Sequence, residues 1–116
     1  MPFTKQEQTE KQICDSIIEM LNLHGCYCWR VNSGKLRVET NGRTRLINMA
    51  QAGTSDILGI VKGSGRMVCI EVKKPKTRNS VTQLQQDYLD KMKSYGAITG
   101  VATSPEEALQ LLERSI

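Results

Sequence analysis

A chain of 116 residues with 39% hydrophobic and 24% charged residues has the make-up of an ordinary globular domain, which excludes a mainly disordered chain and leaves little room for a second domain. No apolar run nears the ~20 residues of a membrane span, and the opening stretch lacks the apolar core of a secretory signal. The net charge of +4 is uneven: residues 26–78 hold eleven basic residues against the acids Glu39, Asp56 and Glu71, a local +8 that leaves −4 elsewhere.

The first predicted helix covers 4–23, with Thr4 as cap, Glu7 at the capping-box position, and Ile13, Ile17, Met20 and Leu21 at helical spacing. His24-Gly25 ends it. Residues 26–31 read as a strand, Asn32-Ser33-Gly34 as a turn, and 35–40 with 43–48 as a hairpin around Asn41-Gly42. A small-residue loop, 50–55, precedes two short apolar runs, 56–61 and 67–72. These are too short for helices and read as buried strands joined by Lys62-Gly63-Ser64-Gly65. Residues 73–80 form a basic loop broken by Pro75. A second helix spans 82–95, capped by Thr82 and Gln85, with Leu84, Tyr88, Leu89 and Met92 as its buried stripe and Gly96 as its stop. A strand at 98–103 follows, and Ser104-Pro105-Glu106-Glu107 opens a last helix. The order α-β-ββ-β-β-α-β-α predicts one α/β domain over 1–116, a mixed β-sheet with helices on both faces.

Cys14, Cys26, Cys28 and Cys69 form no CxxC pair, so they read as small buried hydrophobes of a reducing, cytoplasmic setting. A zinc site from His24, Cys26 and Cys28 lacks a second ligand pair and is the weaker reading. The basic middle suggests a polyanion-binding face; a merely solvated basic surface is the plainer alternative.

Two acids stand where apolar strands should carry none. If Val61 pairs with Arg66, facing residues sum to 127, and Asp56 lies opposite Glu71 with side chains on one face. Lys73, two residues on, points to that face. Adjacent carboxylates repel unless a cation lies between them, and oxygen ligands suit Mg²⁺ or Mn²⁺. The plainer alternative is that Asp56 caps a turn while Glu71 and Lys73 pair on a solvated edge. Glu10 shares a helix face with Cys14, Ile17 and Leu21 and so extends the buried stripe with a carboxylate. It reads either as a dipole-favoured first-turn acid or as a further ligand or water holder.

Gly53-Thr54-Ser55-Asp56 followed by Glu71-Val72-Lys73 resembles the PD-(D/E)xK nuclease signature. With Glu10 on the first helix, the stretch Arg30-Val31-Asn32-Ser33-Gly34 and Gln85 on the next helix, the pattern is closest to the virus-type replication-repair nuclease (VRR-NUC) branch, over residues 7 to 103 or so. Ser55 stands where the general signature has proline. The resemblance implies a restriction-endonuclease-like fold and Mg²⁺- or Mn²⁺-dependent hydrolysis of phosphodiesters. It further implies a homodimer acting on branched DNA such as four-way junctions, in the host bacterial cytoplasm if the chain is of phage origin. It makes Asp56, Glu71 and the Val72 carbonyl metal ligands. Lys73 then positions water or offsets charge, and Glu10 binds a second ion or orients water. Gln85 either holds Lys73 or the water, or is a plain capping residue. Arg30, Lys35, Arg37, Arg43, Arg45, Lys74, Lys76 and Arg78 would contact DNA phosphates. The rival readings are a non-catalytic nucleic-acid-binding domain with this fold, and a small subunit acting only through protein contacts.

Overall fold

A computed structural model describes residues 7–31, 35–48 and 50–115, with the side chains of Lys35 and Asn48 outside that description. The elements run α1 (Glu10–Leu23), β1 (Cys26–Arg30), β2 (Lys35–Thr40), β3 (Arg43–Asn48), β4 (Ile57–Val61), β5 (Met67–Val72), a 3-10 turn (Pro75–Thr77), α2 (Gln83–Ser94), β6 (Ile98–Ala102) and α3 (Pro105–Ser115). The fold is α/β, and the order is that expected from the sequence. Among the described residues no helix is long and apolar enough to cross a membrane.

The main sheet has four strands in the order β1-β4-β5-β6. β1 and β5 flank β4 antiparallel, and β6 joins β5 in parallel after the α2 crossover. The β4–β5 register is the expected one: Ile57 faces Ile70 and Leu58 faces Cys69. Alternation then divides the core. Ile13, Ile17 and Leu21 of α1 and Ala108 and Leu112 of α3 pack on the face that carries Cys28, Ile57, Val68, Ile70, Val72 and Ile98. On the opposite face Leu89, Tyr88 and Met92 of α2 cover Cys69, Met67, Leu58 and Val101. β5 is buried on both faces beyond Met67, so it is the strand on which the rest is assembled.

Three expectations are corrected. First, α1 starts at Glu10, because Thr9 and Gln12 form the capping box: Thr9 Oγ1 accepts from Gln12 N at 3.1 Å, and Gln12 Oε1 accepts from Thr9 N at 2.9 Å. Glu7 therefore precedes the helix; Thr4 lies outside the described residues, as does the turn 32–34. Second, Glu10 does not extend the buried stripe. As the first helical residue it is exposed, where a carboxylate meets the positive end of the helix dipole. Third, Leu84 is 61% exposed and does not belong to the buried face of α2. The helices lie on both faces of the sheet, as expected, though they cover them unequally. α2 reaches β5 and β6 but leaves Tyr27, Trp29 and Ile60 exposed on the β1–β4 half. The hairpin forms a separate two-stranded sheet, its turn made by Asn41 (φ 53°) and Gly42 (φ 74°) in the left-handed conformation that a two-residue hairpin requires.

Gly59 sits opposite Cys28, and a Cβ there would lie 2.5 Å from Cys28 Cβ and 2.7 Å from the Tyr27 carbonyl oxygen. Both are fixed atoms of the packed β1–β4 pair. Gly59→Ala is expected to cost roughly 1–3 kcal/mol, measured by urea unfolding; a change below a few tenths would show that β1 moves freely against β4.

Candidate metal and phosphodiester site

The site forms where β4 and β5 separate. Rungs alternate along the pair, so the rung after Ile57–Ile70 would join Val72 to residue 55. The chain leaves the ladder there instead. Val72 N donates at 2.8 Å to Asp56 Oδ2, a side-chain acceptor in place of a main-chain one. On the other side of β4 the Asp56 carbonyl still accepts from Val31 N at 2.8 Å. Asp56 is thus held from both neighbouring strands, half-buried. Ser55, fully buried just before it, donates its hydroxyl to the Ile57 carbonyl at 3.1 Å. Gly53 adopts φ +85° and packs so closely on α2 that a Cβ would lie 2.6 Å from the Leu84 carbonyl oxygen. These contacts fix the loop that delivers Asp56.

Glu71 occupies the last turnings of β5 and is only 3% exposed. Its Oε1 accepts from Gln85 Nε2 at 3.0 Å, while Oε2 is buried with no hydrogen-bond partner among the described residues. Burial, and next the Asp56 carboxylate beside it, push the Glu71 carboxyl up to about 8; Glu10 adds to the rise and Lys73 opposes it. Gln85 is the expected capping residue and also reaches the site, though through Glu71, because its two amide atoms face different ways. Oε1 accepts from Thr82 N at 2.9 Å, completing the α2 capping box, and Nε2 holds Glu71 rather than Lys73.

A cavity of about 70 Å³ lies beside this pair, lined by Glu10, Lys11, Cys14, Arg30, Asp56 and Val72. Asp56, Glu71, Lys73, Glu10, Gln85 and Val72 therefore belong to one neighbourhood. Sequence reasoning missed Lys11 and Cys14. Their signal was spacing, since Lys11 and Cys14 flank the cavity three positions apart on α1. The Cys14 thiol is pushed up to about 11, by burial first and by Asp56 second, so it is a neutral group there.

No three His, Cys, Asp or Glu side chains among the described residues form a ready-made ligand cluster. What the site offers is two adjacent carboxylates, one with an orphaned buried oxygen, next to a strand end and a cavity. That donor set fits a hard divalent cation, which takes oxygen ligands and keeps several waters. It does not fit zinc at His24, Cys26 and Cys28: both thiols are buried toward α1, and His24 Nδ1 lies 2.7 Å from the Met20 carbonyl oxygen.

Of the basic residues, Arg30 lines the cavity, and Arg37, Arg43 and Arg45 are exposed on the hairpin. Lys74 is half-buried, and Lys76 lies 3.5 Å from Glu7 on the surface. Arg78 is ion-paired with Glu107, which also accepts from Thr103 N at 2.8 Å, so a phosphate would have to displace that carboxylate. No family profile matches the chain, and no curated protein matches it.

An acid raised above its ordinary value binds its proton more tightly in the folded state. Between pH 4.5 and 8 the native state then holds more protons than the unfolded one, and stability falls as pH rises. In metal-free buffer, Glu71→Gln is expected to keep the Gln85 bond and raise the melting temperature by several degrees at pH 8.5 but little at pH 4.5. A constant difference across that range in thermal melts would mean that no proton on Glu71 is linked to folding.

Proposed function

We propose that this chain is a metal-dependent endodeoxyribonuclease that hydrolyses phosphodiester bonds in branched DNA, a VRR-NUC domain of the PD-(D/E)xK superfamily. One observation carries the reading: a carboxylate nearly sealed from water, one oxygen unpartnered, set beside a second carboxylate at the mouth of a small cavity. Two acids so placed destabilise the apo fold, and a bound cation is what makes the arrangement worth keeping. The basic segment supports the same reading, since carboxylates alone repel phosphate.

Asp56, Glu71 and the Val72 carbonyl would hold Mg²⁺ or Mn²⁺. The ion supplies Lewis acidity at the phosphoryl group and lowers the pKa of a bound water. The chain's own groups do the rest. Val72 N and the β1 backbone keep the Asp56 carboxylate aimed at the strand gap. Gln85 fixes the rotamer of Glu71 through Oε1 and leaves Oε2 free to ligate. Lys73, half-buried and close enough to act on Glu71, offsets charge that develops on the phosphoryl oxygens or orients the attacking water. As water adds, the bond from phosphorus to the leaving oxygen breaks, and that oxygen takes a proton. Glu10, exposed at the cavity rim, orients water or holds a second ion. Arg30 and the exposed basic residues position the DNA backbone without reading its sequence. The setting we propose is cytoplasmic, in keeping with four cysteines that are all free and buried.

Asp56→Ala, Glu71→Ala and Lys73→Ala are each expected to remove cleavage of a four-way junction in Mg²⁺ by at least about a hundredfold while circular dichroism stays native. Full Mg²⁺-dependent activity in Glu71→Ala would defeat the assignment, and DNA binding by the wild type without any metal-dependent cleavage would favour the non-catalytic reading. One chain offers one site and a junction needs two cuts, so a homodimer is expected. Light scattering at micromolar concentration with DNA present should give twice the chain's 13.0 kDa, and the monomer mass would refute it.

A further inference from the structure

The β2–β3 hairpin stands apart from everything else in the fold. Among the described residues it is not part of the four-stranded sheet and has no substantial packing against any other element. An isolated two-stranded ribbon is marginal in water, so it calls for a surface supplied from outside. Its chemistry names the kind of surface. Arg37, Arg43 and Arg45 are exposed, against the single acid Glu39. The pairing Val38↔Arg45 and Thr40↔Arg43 puts both tip arginines on one face, with Leu36 and Ile47 nearer the root of that face. Around the tip, Thr40, Asn41, Arg43 and Arg45 line a concavity of about 600 Å³.

We infer that this hairpin is an arm that enters the major groove of duplex DNA beside the cleavage site, an inference that rests on the nucleic-acid reading above. Its dimensions select the groove. Six-residue strands extend about 20 Å, and two paired strands with side chains are roughly 10 Å across. That ribbon enters a groove about 12 Å wide and not one of about 6 Å. In the groove the arginines meet phosphates along the rims, and the exposed Leu36 and Ile47 of the same face lie toward the base edges of the floor. In sequence the arm begins five residues after Arg30 and ends eight before Asp56, so both of its chain ends lead to residues that line the site. A second copy of this chain is the other conceivable occupant, but hairpin against hairpin would set arginines against arginines.

The test compares the full chain with an Arg43→Ala/Arg45→Ala variant, both on exposed positions, bound to a linear duplex without metal. Dimethyl sulfate reports guanine N7 in the major groove and adenine N3 in the minor groove. The wild type is expected to shield guanine N7 over about half a helical turn. The variant should lose that protection, bind about 10- to 100-fold more weakly, and show a salt slope shallower by about 2. Protection of adenine N3 alone, unchanged affinity in the variant, or no duplex binding by the wild type would overturn the inference. So would a dimer-to-monomer shift of the variant in light scattering, which would make the hairpin a contact between copies. Calorimetric binding of Mn²⁺ to both proteins separates the two proposals: absent binding removes the metal site and leaves the groove footprint standing.

Discussion

The buried carboxylate of Glu71 is the constraint around which the site is arranged. A charge in that position costs the fold stability, and the surroundings reduce that cost only in part. Gln85 satisfies one oxygen, Lys73 counters some of the charge, and Asp56 makes matters worse. Each of these side chains comes from a different piece of the fold, so the site exists only when β4, β5 and α2 are all assembled. The central position of β5, covered by α1 and α3 on one side and by α2 on the other, is what removes Glu71 from water.

The rigid part of the chain and the part available for contact are separated in space. Rigidity lies in the four-stranded sheet, where Gly59 and Cys28 touch closely and the Gly53 loop presses on the first turn of α2. Exposed apolar and basic side chains lie on the hairpin and on the β1–β4 half of the sheet, where Tyr27 and Trp29 sit with ring centroids 5.6 Å apart. A close-packed scaffold that holds a few polar groups, with contact residues carried on less supported elements, is the division expected of a binding or catalytic domain.

The sequence anticipated the hairpin turn at Asn41-Gly42, the α2 capping box at Thr82 and Gln85, and the β4–β5 register, because each depends on residues close together in the chain. It misplaced the start of α1, whose capping box is made by Thr9 with Gln12 and not by the expected Thr4 with Glu7. It also set Glu10 in the buried stripe, because helical periodicity does not reveal where the first turn meets solvent. Leu84 failed for a related reason: in the first turn of α2 it is Gln85, in line with the buried Leu89, that reaches the sheet, and Leu84 is left to solvent.

What the sequence alone determined was local and periodic: the element order, the turn chemistry, and the pairing that sets Asp56 against Glu71. Only the tertiary structure decided which of those groups are sealed from water, that Gln85 bonds Glu71 while also capping α2, that Cys14 and Lys11 complete the cavity, and that the hairpin stands outside the main sheet. The physical reason is that burial and side-chain hydrogen bonding depend on packing between elements far apart in the chain, which no local pattern encodes.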